Sequence, residues 1–334
     1  MLDLSAVRRG ARSARSLAVP VLLMLLATAC DLGGAAPADP PAAEDPPAAA
    51  QPGGDDAAGE AGGEPGDDDA GAAGAGDPAE GAAEDGDAPD GADAAGQRFK
   101  GVANSPCGEL EQLGATWYYN WGIDGESCGG AEFVPMVWGG AGLTPDDVSA
   151  AVQRAADAGH ATVLGFNEPD RPDQADMTVD QALALWPSMT ADDGILVASP
   201  ATSSAAEGQR WMEEFMTRAT DEGLRVDVLA VHWYGWGAGS CDPDAAGLDQ
   251  YLDWAESLPG DLPIWITEFG CLNESGPDAA TVQAFYEGVV EMLEDHPRVE
   301  RYAWFPWVEH HHLAEEGALT PLGDVFAAAP AQRS

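Results

Sequence analysis

From residue 98 onward, short apolar runs alternate with longer segments whose apolar positions recur three and four apart. Eight of the short runs read as strands, near 100–104, 115–120, 132–138, 161–167, 195–199, 226–234, 262–268 and 300–305. The longer segments carry a helical period. Val148, Ala151, Val152, Ala155 and Ala156 share one face, Leu248, Tyr251, Leu252 and Ala255 a second, and Val282, Phe285, Tyr286, Val289, Val290 and Leu293 a third. The first of these helices has a marked start, with Thr144 as N-cap, Pro145 at the first helical position, and Asp146 and Asp147 complementing the helix dipole. Strands and helices in turn predict a parallel α/β sheet, and eight strands predict closure into a (β/α)8 TIM barrel over a doubly wound open sheet. The gaps after the first and second strands are short and helix-poor, so the early units are expected to be degenerate.

Two of the strand runs end on a glutamate: Leu164 to Asp170 reads L-G-F-N-E-P-D, and Ile264 to Gly270 reads I-W-I-T-E-F-G. In an extended strand the residues two and four before each glutamate share its side. A carboxylate at the mouth of a buried strand is costly without a task. Barrel active sites lie at the C-terminal ends of the strands, and Glu168 ends strand four while Glu268 ends strand seven. Two such carboxylates suit acid/base or nucleophilic work at one shared face. Few Lys or Arg lie near them in sequence, which argues against a merely salt-bridged rim.

Composition narrows how much of the 334-residue chain can fold. Residues 1–30 carry Arg8, Arg9, Arg12 and Arg15, an apolar run from Leu17 to Ala27, and then Ala27-Thr28-Ala29-Cys30. This is the layout of a bacterial export signal, too short to span a bilayer as a mature helix. Small residues before Cys30 resemble a lipoprotein box, so Cys30 is expected to carry the lipid; an ordinary cleaved signal peptide is the alternative. Residues 31–97 are almost wholly Ala, Gly, Pro, Asp and Glu and cannot bury enough apolar surface to fold, so they are expected to form a disordered acidic linker. Residues 98–334 hold ten Lys and Arg against 39 Asp and Glu, a formal net charge of −29. That argues against nucleic acid and for a neutral or cationic partner, and the length is that of one barrel domain.

Removing Cys30 leaves Cys107, Cys128, Cys241 and Cys271, an even number after an export signal, with three possible pairings. Cys107 and Cys128 follow strands one and two, and Cys241 and Cys271 follow strands six and seven. Adjacency in a barrel therefore favours Cys107 with Cys128 and Cys241 with Cys271.

Several segments, in order, resemble glycoside hydrolase family 128, within the clan A hydrolases: W-Y-Y-N-W (117–121), E-F-V-P-M-V-W-G (132–139), L-G-F-N-E-P-D, S-P-A (199–201), A-V-H-W-Y (230–234), I-T-E-F-G and Y-A-W-F (302–305). The resemblance covers nearly all of 98–334 and implies an endo-acting β-1,3-glucanase, although some members of that family bind the glucan without evident cleavage. By the family pattern Glu168 is the acid/base and Glu268 the nucleophile of a retaining reaction, with no cofactor and no metal. Asn167 would contact the sugar 2-hydroxyl; an Asx turn before Pro169 is its bland alternative. In the resembling clan a strand-six tyrosine hydrogen-bonds the nucleophile, a role that falls to Tyr234. His232 shares its face, with Val228 and Ala230 behind, and is either a neighbouring polar contact or a satisfied core histidine. Asn120 is a hydroxyl contact or a turn former.

Eleven tryptophans are unevenly placed. Trp117, Trp121, Trp138, Trp233, Trp236, Trp304 and Trp307 lie at or just beyond strand ends, where flat aromatic faces suit the C–H faces of pyranose rings and demand no charge of the ligand. Trp138 and Trp304 are the first choices for stacking, with Trp233 beside them, and Trp186, Trp211, Trp254 and Trp265 are expected in the core. His310, His311 and His312 cannot all face one metal from a regular element, so they are expected in a solvent-facing or substrate-rim loop. The expectation is an exported, monomeric cell-envelope or cell-surface hydrolase that meets a membrane only through its lipid and a polysaccharide as substrate. A glucan-binding lipoprotein without activity, or a related hydrolase of another β-glycan, are the alternatives.

Overall fold

A computed structural model describes residues 99–128, 130–235, 241–272 and 276–332. The expected leader with Cys30, the acidic segment 31–97 and Trp236 lie outside these residues. Eight parallel strands form the centre: β1 Lys100–Ala103, β2 Trp117–Tyr119, β3 Glu132–Phe133, β4 Thr162–Val163, β5 Leu196–Val197, β6 Leu229–Tyr234, β7 Ile264–Gly270 and β8 Val299–Trp304. Six of them run in the order β3-β2-β1-β8-β7-β6, and β4 pairs with β5. Bridges from Met136 to Leu164 and from Ala198 to Val228 join the two sets at both ends, so the sheet closes on itself as the (β/α)8 barrel that the alternation predicts.

The helices are α1 Cys107–Leu113, α2 Pro145–Asp157, α3 Val179–Met189, α4 Ala206–Asp221, α5 Ala246–Glu256, α6 Ala279–Asp295 and α7 Pro321–Ala328, with a small hairpin of β9 Ala314–Glu315 and β10 Ala318–Leu319 before the last. Among the described residues the gap between β2 and β3 carries no helix. The gap after β1 does carry one, contrary to expectation. Helix α1 has only seven residues, no side-chain cap at Pro106, and two buried residues, Leu110 and Leu113, too few to show a period. Helix α2 starts as its sequence dictates. Thr144 Oγ1 accepts the Asp147 N–H at 3.3 Å and Asp147 Oδ2 accepts the Thr144 N–H at 2.8 Å, a capping box worth about 1 kcal/mol.

The strands separate two cores. Outside them, α6 lays Phe285 on Trp233 and Tyr286 on Phe269 and Trp304. Inside lie Ala103, Trp117, Tyr119, Met136, Leu164, Ala230, Trp265 and Ala303. The floor of the barrel is solid. Trp117 fits there because Gly101 has no side chain: a Cβ would stand 2.4 Å from the indole. The Arg301 guanidinium lies 3.9 Å from the Trp265 ring centre and pairs with Glu132 at 2.9 Å. With that end filled, a ligand must approach from the C-terminal ends of the strands. Two disulfides brace the loops there, Cys107–Cys128 and Cys241–Cys271, with Cα separations of 5.4 and 5.3 Å, the pairing that barrel adjacency predicts.

Candidate active site

Glu268 owes its direction to an irregularity in β7. Ile264 and Ile266 belong to the outer core and Trp265 to the inner one, so unbroken alternation would turn residue 268 outward. The register against β6 passes from Val231↔Ile266 to His232↔Glu268, two steps on β7 against one on β6. This bulge at Thr267 re-aims the strand and brings Glu268 inside. Alternation also breaks before Glu168: Leu164 is in the inner core and Phe166 in the outer, with Gly165 between them. Gly165 presses on β5, where a Cβ would lie 2.8 Å from Ala198 O. The expected sharing of a side with the residues two and four before each glutamate is therefore corrected at both strands. On β6 the alternation holds, and His232 and Tyr234 project inward above Val228 and Ala230.

The two carboxylates meet in a buried group. Glu268 Oε1 accepts hydrogen bonds from Tyr119 Oη and Trp121 Nε1, both at 2.9 Å, and Oε2 accepts one from Tyr234 Oη at 2.5 Å. His232 Nδ1 lies 3.3 Å from Glu168 Oε1 and 3.5 Å from Glu268 Oε2. One ligating atom from each of Glu168, His232 and Glu268 falls within 4.8 Å of the others. Burial, and then the Glu268 charge, hold both Tyr119 and Tyr234 well above the ordinary phenol value, so both stay protonated and donate. Burial alone would lower His232, but the charges of Glu268 and Glu168 outweigh it and raise the imidazole above its ordinary value. The spacing of these three side chains also suits a metal. His232 Nδ1 faces both carboxylates, and the raised imidazole suits a donor to them.

Backbone strain accompanies this group. Trp121 has φ +58° and Glu168 φ +41°, left-handed conformations that cost a non-glycine residue roughly 1–2 kcal/mol. Glu168 is held in place by its N–H on Ala201 O at 2.7 Å, and by Arg171 N–H on its own carbonyl at 3.0 Å. Asp170 clasps the loop after β5, accepting from Ser203 N at 2.9 Å and from the Ser203 hydroxyl.

Other expected site residues divide. Asn167 is buried beside Glu168; its Nδ2 donates to Gln174 Oε1 at 3.1 Å, and its Oδ1 has no partner among the described residues. Trp138 is 39% exposed at the mouth of the barrel. Trp307 is 50% exposed, its Nε1 donating to Ala103 O at 2.9 Å. Asn120 takes the second of its two expected roles, with Oδ1 accepting from Gly122 N and Nδ2 donating to Asp124 O, so the side chain makes a turn. Trp233 and Trp304 are corrected. Both point outward into the layer under α6, where no glycan reaches; Trp304 is 0% exposed and Trp233 stacks on Phe285. Trp117 lies in the floor, and just past β8 Phe305 faces the site, edge-on to Trp121 and Tyr234. His311, expected at the surface, is buried against Trp304. Its Nε2 accepts from Cys271 N at 3.1 Å, its Nδ1 lies 2.9 Å from Glu309 O, and burial lowers it below the ordinary histidine value.

Tyr119 and Arg171 escaped the sequence reading, as did the bond that Trp121 makes. Tyr119 and the indole N–H of Trp121 reach Glu268, and the alternation 117, 119, 121 along β2 and just beyond it is the signal that finds them. Arg171 pairs with Glu168, Nε to Oε2 at 3.2 Å, although few cations were expected nearby. It lies three residues beyond the glutamate, in a loop where no periodic pattern points it anywhere.

Comparison with known proteins places this geometry. Residues 96–326 match the family model described as the glycosyl hydrolase catalytic core. Alkali-sensitive linkage protein 1 of Schizosaccharomyces pombe is 30% identical over 234 residues, which take in 64% of this chain and 40% of that protein, so the chain spans less than half of that relative. Two solved structures resemble the fold closely. A subgroup I endo-β-1,3-glucanase of glycoside hydrolase family 128 from Amycolatopsis mediterranei, in complex with laminaritriose, is 35% identical with a TM-score of 0.61, over 70% of this chain and 99% of that one. A subgroup II endo-β-1,3-glucanase of the same family from Sorangium cellulosum is 29% identical with a TM-score of 0.59, over 71% and 100% of the two chains.

Proposed function

Because the chain belongs to the glycosyl hydrolase catalytic core family, and within it to glycoside hydrolase family 128, we propose that it is a retaining hydrolase of internal β-1,3-glucosidic bonds in glucans. The observation that carries this reading is the pair of buried carboxylates joined through His232. Their close approach suits a retaining reaction, whose carboxyl groups stand about 5–5.5 Å apart, better than an inverting one, which leaves room for a water at about 6.5–9.5 Å. Glu168 protonates the leaving glycosidic oxygen while Glu268 attacks the anomeric carbon. Water, deprotonated by Glu168, then releases the sugar from Glu268. Tyr119, Trp121 and Tyr234 orient the nucleophile, and Trp138 offers a flat face to a neutral sugar ring. The Asn167 Oδ1 atom suits a sugar hydroxyl, which would give it the partner it lacks among the described residues.

The test uses laminarihexaose and the full chain. Early products of intermediate length, with the β-anomer formed first by proton NMR, support endo action with retention; glucose alone points to exo action, and the α-anomer first sinks retention. Glu168→Gln and Glu268→Gln should each lower turnover by 10²-fold or more. Absence of cleavage of any β-glucan, with binding kept, would establish a binding protein instead.

We further propose that Cys30 carries a lipid and that the protein works as a monomer at the bacterial envelope. Two disulfides suit the oxidising compartment that export implies. Cys30→Ala should release the protein from membranes, and unchanged membrane retention would contradict the anchor.

A further inference from the structure

Glu168 stands between two tie-points on one short run, Ala201 to Ser203, that follows β5. On the near side the parallel pairing of β4 and β5 continues past the strand ends. Asn167 bridges Ala201, the Ala201 N–H donates to Phe166 O at 3.0 Å, and the Glu168 N–H donates to Ala201 O at 2.7 Å. On the far side Asp170 Oδ1 accepts the Ser203 N–H at 2.9 Å and Oδ2 accepts the Ser203 hydroxyl. Between these points Glu168 takes its left-handed φ of +41°, a conformation that persists only where the surroundings enforce it. The outer end of the turn closes on itself, with the Arg171 N–H on Glu168 O at 3.0 Å and the Met177 N–H on Pro169 O at 2.8 Å. Helix α4 makes room for the clasp. Its Gly208 is buried there, and a Cβ would stand 2.1 Å from Ser203 O and 2.9 Å from Asp170 Oδ2. Both Asp170 oxygens are turned to Ser203, so its effect on the acid runs through the backbone of the turn.

We infer that Asp170 is a positioning residue for the acid/base: by gripping Ser203 at two points it fixes the turn from which Glu168 reaches the glycosidic oxygen. The inference rests on the hydrolase reading above. The grip requires hydrogen-bond geometry and no charge. An asparagine can form it, with Oδ1 accepting from Ser203 N and Nδ2 donating to Ser203 Oγ, because a hydroxyl accepts as well as donates. An alanine cannot. Misplacing a reacting group by about 1 Å costs on the order of 10²-fold in rate, so slight slackening of the turn is enough.

The test compares two substrates on the full-length chain. Laminarihexaose needs the acid to protonate its leaving oxygen. A dinitrophenyl β-laminaribioside expels a phenolate that needs no proton, and its kcat/KM reports the attack by Glu268 alone. Asp170→Ala should lower kcat on laminarihexaose about 10–100-fold with KM nearly kept, and change kcat/KM on the dinitrophenyl substrate less than about threefold. Asp170→Asn should recover most of the loss. Equal losses on both substrates would show a merely structural role and overturn the proposal. Asp170→Asn failing as badly as Asp170→Ala overturns it as well, since charge would then be the agent. Should Asp170→Ala fail to fold, Ser203→Ala decides. It removes the hydroxyl bond alone and should cost about three- to tenfold on laminarihexaose only; no loss there overturns the inference. A wild type that cleaves neither substrate removes the hydrolase reading and this inference together; a cleaving wild type whose variants lose nothing on laminarihexaose removes this inference alone.

Discussion

Replacing Tyr119 by Phe removes one oxygen from a fully buried side chain and leaves its volume almost unchanged; the hydroxyl it removes lies between Glu268 Oε1 and Thr267 O at 3.0 Å, and varying Glu268 separates the first partner from the second. The bond to Glu268 is 2.9 Å long and ends on an ionised acceptor. Hydrogen bonds to charged groups contribute about 1.5–3 kcal/mol and neutral ones about 0.5–1.5 kcal/mol. Tyr119→Phe should therefore cost about 1.5–3 kcal/mol, or roughly 3–12 °C in Tm for a domain of this size. In a Glu268→Gln background the same oxygen faces a neutral amide, and the cost should drop to about 0.5–1.5 kcal/mol. Urea unfolding of the four proteins of this cycle, followed by tryptophan fluorescence, measures both costs. Equal costs in the two backgrounds would refute the idea that Tyr119 serves the charge on Glu268. A cost below about 0.5 kcal/mol in the wild type would show that the carboxylate finds another donor.

Other substitutions separate surface from core. Trp138→Ala should leave Tm within about 2 °C while raising KM for laminarihexaose about tenfold, whereas Trp304→Ala should lose about 3–5 kcal/mol of stability; the reverse pattern would return Trp304 to the glycan. His232, raised by its two carboxylates, adds stability that is complete below the ordinary histidine value of 6.5 and is lost as pH climbs through the raised value. Urea midpoints from pH 5.5 to 9 should thus fall for the wild type relative to His232→Gln, and parallel profiles would count against this. Cys107 is exposed and Cys128 half-buried, while Cys241 and Cys271 are both buried. Mild dithiothreitol followed by alkylation and mass spectrometry should label the first pair well before the second, and simultaneous labelling would contradict the burial argument.

The barrel, the two glutamates at strand ends and both disulfides were legible because each rests on a feature that repeats: strands in turn with helices, polar residues ending apolar runs, and loops adjacent by strand order. His232 and Tyr234 were legible because β6 alternates without a break. Where phase fails, so does the reading. Trp304 and Phe305 are neighbours at one strand end, and choosing between them requires knowing which face Arg301 and Ala303 take. Asn120 carries the chemistry of a sugar contact and of a turn alike, and only Gly122 and Asp124 in place decide it. Arg171 shares no period with Glu168; a left-handed φ at the glutamate and the turn that follows bring the two together. Helix α1 is too short for periodicity to distinguish it from a loop.

The bulge in β7 matters for anyone who would redesign this barrel. Idealising scaffolds commonly means replacing irregular strands by regular ones of the same length, with every residue kept. Done here, that operation would put Thr267 opposite His232 and turn Glu268 into the oily layer beneath α6, although no residue had changed. Shortening the strand by one at Thr267 while regularising it would keep the glutamate facing in. Strand length and strand regularity are thus a single linked choice, and a catalogue of point substitutions, however complete, would never reveal the link.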